Sequence, residues 1–487
     1  MPGASDPRSL ASERRSRVSA TPHDLTGKLS ETGLRGRRRS LRAALVGNAL
    51  EWFDWTLYAT FSTYLAANYF EGDDPTAGLL ATLAVFAAGF IARPVGGYLF
   101  GHFGDRIGRR TTLILTMSMM AGASLLIAIV PSYGAIGIWA SILLVTARLL
   151  QGLAHGGESG VAYTYVAELA PPDRRGLWSS SIYVSVTLGV MSATLLSAIL
   201  TGVLPAAAMN DYGWRIGFVV GALLGLAALW LRRQAEESPV FEAVEERTDD
   251  DETLLSRGAL VRAVIRIIGF SAACNATYYT WLTFAPSYAI AEKGMDQNGA
   301  FVAGVLAQLL MIALLPCYGW LSDRIGRRTL MVGFSIGVVI VPLPVLWMLD
   351  VEPWTLFLSQ GLGLIVWAMM GSIWPILVTE QFPTRQRAVA VGLASSLTAA
   401  LFGGTAPYLN TWLTSLGHPE YFQTYLMVLG VVALVTTMFV RETRGLDMRE
   451  VANGTSPARL RTQHDAFSRD EPDRVRQLGR SREAEES

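Results

Sequence analysis

The chain has 487 residues with 40 basic and 40 acidic side chains, and a net charge of zero makes no case for a nucleic-acid or other polyanionic partner. Hydrophobic residues make up 51%, charged residues only 16%, and mean hydropathy is +0.34. A soluble globular domain carries about a quarter charged residues, so composition excludes a soluble enzyme and places the chain in the membrane class.

In chain order, residues 1–40 are rich in Arg, Ser, Gly and Pro and read as a disordered tail whose basic end flanks the first apolar run. No cleavable signal peptide is expected, because that run carries Glu51 and Asp54. Six apolar runs follow near 42–66, 78–101, 111–131, 136–167, 178–204 and 214–231. Six more lie near 260–290, 299–321, 329–349, 353–379, 387–415 and 421–440. A membrane helix needs about 20 residues, so the expected fold is an all-α membrane protein of twelve spans. The expected divisions are a bundle at 41–232, a polar, partly acidic linker at 233–258, a second bundle at 259–441 and a disordered tail at 442–487. Cys274 and Cys317 fall inside apolar runs and form neither a disulfide framework nor a metal site.

The two bundles repeat each other. Gly101, Asp105, Arg106, Gly108 and Arg109 between spans 2 and 3 recur as Gly319, Asp323, Arg324, Gly326 and Arg327 between spans 8 and 9. Glu168 and Arg175 recur as Glu380 and Arg387 at nearly the same spacing, and two motifs repeating together indicate homologous halves. These turns read as mechanical: the aspartates cap the following helix or pair with arginines, and the glutamates supply further partners. Each surface pair is weak, about 0–1 kcal/mol, but a network present in one conformation and absent in another biases a bistable protein. Arginines cluster after the even-numbered spans and Asp73, Asp74, Asp350 and Glu352 after the odd-numbered ones, which puts both termini in the cytoplasm.

An ionisable group at membrane depth is costly and is a functional hypothesis by default. On span 1, Asn48, Glu51, Asp54 and Tyr58 share roughly 120° of helical arc. Two carboxylates a turn apart resist double ionisation, as a proton carrier requires; alternatively Glu51 pairs with a surface arginine. On span 4, Arg148, Gln151, His155 and Glu158 share about 80° of arc. Arg148 can grip a substrate carboxylate or pair with Asp54 or Glu158, whereas a lone His155 more often packs. Arg93 precedes Pro94 and reads either as an anion contact or as an ion-pair member near a bend. The second half is almost neutral: Asn275, Tyr278 and Trp281 recur at helical spacing, and these with Trp374 read as packing or as an aromatic substrate wall. Neither of the two lysines, Lys28 and Lys293, completes a phosphate-binding loop. With no catalytic or metal motif either, neither an ATPase site, an enzyme nor a cofactor is expected.

The paired G-x3-D-R-x-G-R-R turns resemble those of the major facilitator superfamily. Asn48 to Asp54, Arg93-Pro94 with Gly96-Gly97, Arg148 with Gln151-Gly152, Gly156-Gly157-Glu158 and Trp214-Arg215 resemble its metabolite:proton symporter family, which includes 2-oxoglutarate, shikimate, citrate and proline/betaine permeases. Ser159 and Gly217 depart from that pattern, and no terminal coiled coil is found. The resemblance implies two pseudo-symmetric six-helix bundles, alternating access and proton-coupled uptake of a small carboxylate-bearing metabolite across a bacterial inner membrane. The expected partners are that substrate, the proton and the bilayer, with the chain working as a monomer and no ATPase. On this reading Asp54, Glu51 and Glu158 serve proton coupling. Arg93, Arg148, Gln151, Tyr58, Asn275, Tyr278, Trp281 and Trp374 serve the substrate. A proton/substrate antiporter and a transport-like sensor are the alternatives.

Overall fold

In hydrocarbon, every backbone N–H and C=O must be satisfied within its own segment, so apolar runs of this length fold as helices. The structure, a computed structural model, describes residues 31–444 apart from 72–73, 108, 157–162, 164–165, 167–169, 235–256, 383 and 441. Most of the expected tails and linker therefore lies outside the described residues. By its contacts the chain divides into residues 1–43 and a unit from Ala44 onward, which holds the helices that build the site.

All regular elements among the described residues are helical. In the first half they are α1 (Glu31–Thr60), α2 (Ser62–Tyr69), α3 (Pro75–Ile107), α4 (Arg109–Ile129), α5 (Ile138–His155), α6 (Arg175–Val203) and α7 (Trp214–Gln234). In the second they are α8 (Arg257–Thr277), α9 (Ala285–Lys293), α10 (Gln297–Ile325), α11 (Arg327–Ile340), α12 (Pro342–Met348), α13 (Pro353–Gly371), α14 (Trp374–Thr379), α15 (Thr384–Thr398), α16 (Ala406–Ser415) and α17 (Pro419–Met438).

Among the described residues nine helical stretches are long and apolar enough to cross a membrane, or ten with α11 and α12 counted as one span bent by 48° at Pro342. Proline lacks the N–H a continuous helix needs there, which accounts for the bend. The other two expected spans coincide with α1, whose apolar run is interrupted by Glu51 and Asp54, and α4, whose apolar part is Ile114–Ile129. Large apolar side chains such as Tyr98, Trp139, Val203, Trp347 and Phe439 point outward, as a lipid-facing surface requires.

Lipid tails are as apolar as leucine, so helix association here depends on close packing rather than on escape from water. α3 crosses α5 where a Cβ on Gly96 would strike the Leu153 carbonyl and one on Gly152 the Gly89 carbonyl. α3 runs on continuously through Pro94. α6 of the first half lies along α10 of the second, and at one end a Cβ on Gly176 would meet the Gly319 carbonyl. Among the described residues three short π-helical stretches interrupt the regular winding, the longest being Tyr278–Phe284 between α8 and α9. Such stretches widen a helix and re-aim its carbonyls.

Candidate functional site

α1 delivers the first group of residues. Asp54, 5% exposed, accepts hydrogen bonds from Ser124 on α4 and from Gln151 Nε2 on α5 (2.9 Å). Gln151 Nε2 also donates to Ser124 Oγ (3.0 Å), and Gln151 Oε1 accepts from Arg148 Nη1 (2.8 Å). Gln151 thus relays between a carboxylate and a guanidinium that do not touch. Asn48, on the same face of α1, turns to α6 and donates to Ser185 Oγ (2.8 Å).

Both buried arginines rest on one indole. The guanidinium carbon of Arg148 lies 4.1 Å from the Trp55 ring centroid and that of Arg93 4.0 Å. Arg148 also lies 4.2 Å from the Tyr58 ring, and Arg93 4.1 Å from Phe90. A desolvated cation–π contact is worth about 2 kcal/mol, enough to hold the groups but not to replace their lost hydration. Nε and Nη2 of each arginine are buried without a hydrogen-bond partner among the described residues. Donors pointing into a site with no acceptor are what an anionic ligand needs.

Glu51 parts from Asp54 and pairs with His155 Nδ1. The imidazole stacks on Trp55 (centroids 5.4 Å apart) and meets Trp52 edge-on (5.6 Å), so it is more than packing. The two carboxylates still line one small cavity of about 30 Å³ with Gly47, Met117, Met120, Gly221 and Gly225, between α1, α4 and α7. Tyr58 hydrogen-bonds the Thr82 carbonyl (3.1 Å) and presents its ring, rather than its hydroxyl, to Arg148. Glu158 lies outside the described residues.

Across the seam stand aromatics of the second half. Tyr278 meets Trp52 (5.5 Å), Tyr279 meets Phe90 (4.9 Å), and Tyr183 of α6 meets Trp367 (5.0 Å). The Tyr278 hydroxyl and Trp281 Nε1 are buried without hydrogen-bond partners among the described residues. Trp374 Nε1 donates to Ser271 Oγ and Asn275 Nδ2 to the Ser271 carbonyl (both 3.0 Å), so these two are committed within the second half. Trp55 and Ser124 carry no motif in the sequence; Trp55 alone leaves a trace, lying one turn beyond Glu51.

The halves also meet on both sides of the site. At one end, Asp323 accepts from the backbone N–H of Gly176 (2.8 Å) and Leu177 (3.0 Å), capping α6 of the opposite half, and pairs with Arg327 (2.7 Å). The cap on the helix that follows the turn, α11, comes instead from Glu442, which accepts from the N–H of Arg327 and Arg328 (3.0 Å each). Gly326 takes φ +97°, the region only glycine enters freely, and so brings Arg327 N–H to that carboxylate. Arg324 stacks on Trp320 at 3.9 Å. Glu380 faces Arg175 at 3.9 Å and takes the Thr443 hydroxyl. Burial pushes the Glu380 carboxyl up from the ordinary glutamate range, opposed by Arg327, Thr443 and Arg175. In the first-half turn, Gly101, Asp105, Arg106 and Arg109 lie at the facing ends of α3 and α4. Their side chains, that of Arg387, and residues Gly108 and Glu168 lie outside the described residues. At the opposite end, Tyr64 bonds Gln297, and Asn298 Nδ2 donates to the Ala198 carbonyl (2.6 Å).

The chain matches the sequence profile of the Major Facilitator Superfamily over residues 44–407. It is 38% identical to the alpha-ketoglutarate permease of Escherichia coli K12, over 86% of this chain and 97% of that one. It is 33% identical to the citrate-proton symporter of Klebsiella pneumoniae (80% and 88% covered) and 32% identical to the proline/betaine transporter of Escherichia coli K12 (86% of each). Among solved structures it resembles the xylose transporter XylE from E. coli in fold, with a TM-score of 0.65 at 19% identity over 84% of this chain and 98% of that one. The chain belongs to the Major Facilitator Superfamily, within its metabolite:proton symporters, and is a multi-pass membrane transporter rather than an enzyme.

Proposed function

We propose that the chain takes up a small carboxylate anion together with a proton. The observation carrying this is the pair of buried guanidiniums on Trp55, each with two unpartnered nitrogens, beside the hydrogen-bonded Asp54. With both acids ionised, Glu51 and Asp54 offset Arg93 and Arg148 in the described site. Protonating Asp54 leaves an excess of positive charge, which the substrate carboxylate neutralises. A net charge is expensive in low dielectric, so the site carries proton and anion together or neither. That is coupling by charge balance.

Asp54 is the proton-binding group, and with Glu51 it lines the small cavity of about 30 Å³ between α1, α4 and α7. Arg93 and Arg148 hold the anion while Gln151 reports the state of Asp54 to Arg148. Tyr278, Trp281 and the neighbouring rings form the opposite wall. The arginine distribution makes the Asp323 end cytoplasmic. Opening toward the cytoplasm breaks the Asp323 cap on α6 and the Arg175–Glu380 contact, as the 41–232 and 259–441 bundles rock about the site.

The test is uptake of labelled 2-oxoglutarate, citrate, shikimate, proline and glycine betaine by proteoliposomes under an inward proton gradient. Accumulation of an acid, lost in Arg93→Met, supports the reading. Accumulation of betaine alone, or outward movement of an acid against the gradient, refutes it.

A further inference from the structure

Pro286 has no N–H to offer the carbonyl of Leu282 one turn before it. Gln308 on α10 takes that carbonyl through Nε2 (3.3 Å), and the same nitrogen donates across the seam to Thr194 Oγ1 on α6 (3.2 Å). Gln308 Oε1 remains buried without a partner among the described residues, as do both Oε1 and Nε2 of Gln360 on α13, a residue only 1% exposed. Gly304, one turn before Gln308, lets these groups approach closely: a Cβ there would lie 3.0 Å from Pro286 Cγ, 3.4 Å from Thr194 Cγ2 and 3.7 Å from Gln360 Oε1. One turn along α13, Gly363 accommodates the indole of Trp281, whose Nε1 is also buried and unpartnered. Natural interiors satisfy nearly all buried polar groups, so a cluster like this marks a place where something binds.

We infer that Gln308, Gln360 and Trp281, closed by Thr194, form a neutral hydrogen-bonding subsite for an oxo or hydroxyl group on the transported acid. The inference rests on the carboxylate reading above and adds what the second half recognises. The described buried charges of that half, Arg327 and Glu380, belong to the far gate. The subsite therefore offers no cation to a carboxylate and no carboxylate to an ammonium. The Gln360 amide and Trp281 indole donate to an oxo oxygen, and the two amide oxygens accept from a hydroxyl. Because Thr194 belongs to the first half, the subsite opens when the halves part, which gives a ligand its way in. A site built to hydrogen-bond an oxygen rejects the analogue lacking it far more strongly than an apolar pocket does.

The experiment compares uptake of 2-oxoglutarate, 2-hydroxyglutarate and glutarate, which differ only at C2, by full-length protein in proteoliposomes. Wild type should favour the first two over glutarate by about tenfold or more in kcat/KM. Gln360→Met should bring that ratio to about one while keeping glutarate uptake. Gln360→Glu keeps the side chain's shape if the methionine variant folds poorly; it should turn the preference toward glutamate, whose C2 bears an ammonium. Equal use of the three acids by wild type, a uniform loss in Gln360→Met, or an unchanged order in Gln360→Glu each overturns the subsite. Uptake of none of them by wild type overturns the carboxylate reading and the subsite with it.

Discussion

Replacing Asp54 with asparagine separates proton coupling from folding. The asparagine keeps the size and one acceptor: its Oδ1 can hold the hydrogen bond from Gln151, and its Nδ2 can donate to Ser124 Oγ, since a hydroxyl accepts as well as donates. What is lost is the charge-assisted character of two hydrogen bonds, about 1–2 kcal/mol each, against a total stability of about 5–15 kcal/mol. The protein should remain folded. Asparagine imitates protonated Asp54 permanently, so Arg93 and Arg148 should still bind the anion and the carrier should still exchange labelled for unlabelled substrate. It should not release a proton. A one-unit pH gradient stores about 1.4 kcal/mol per proton, a tenfold accumulation for each proton carried with the substrate, and Asp54→Asn should bring that ratio to one. The assay is paired counterflow and gradient-driven uptake in proteoliposomes. Gradient-driven accumulation at the wild-type level would refute the assignment, as would loss of counterflow in a variant that elutes as folded protein.

Arg93→Lys keeps the charge but not the planar fork or the contact with Trp55; it should raise KM for the acid by about 10–100-fold, roughly 1.4–3 kcal/mol, read from initial uptake rates. Asp323→Ala removes the cap on α6 and the partner of Arg327. That costs about 0.5–2 kcal/mol, all of it in the state closed at that end, so thiol labelling of Ser180→Cys, beside Gly319, should speed up about 2–30-fold. Glu442→Ala uncovers two N–H groups of α11 and should lower the melting temperature in detergent without changing substrate preference. His155→Phe keeps a ring against Trp55 but leaves Glu51 without the imidazole; it should shift the pH dependence of uptake more than its maximal rate.

The helices and the repeated halves were legible because each apolar run obeys one constraint, the length of the hydrocarbon core. The first-half polar faces were legible for a related reason: Glu51, Asp54, Arg148 and Gln151 are expensive where they sit, and helical arc alone groups them. Arc does not say which way neighbours point. Glu51 and Asp54 share a face yet take different partners: Asp54 takes Ser124 on α4 and Gln151 on α5, and Glu51 takes His155, one turn further along α5. Ser124 is one hydroxyl in an apolar run and carries no signal of its own. Sequence allows Asp323 either to cap the helix that follows it or to pair with an arginine; it pairs with Arg327, but the helix it caps is α6 of the opposite half, because the α6–α10 approach at Gly176 and Gly319 is a tertiary fact. The capping role fell to Glu442, in a stretch that read as disordered from composition.

The most direct test of the account is lumenal pH in proteoliposomes holding a trapped dye, on addition of external 2-oxoglutarate with no imposed gradient. The account predicts lumenal acidification that follows substrate concentration and disappears in Asp54→Asn. Substrate entry with no change in lumenal pH, or with alkalinisation, would contradict it.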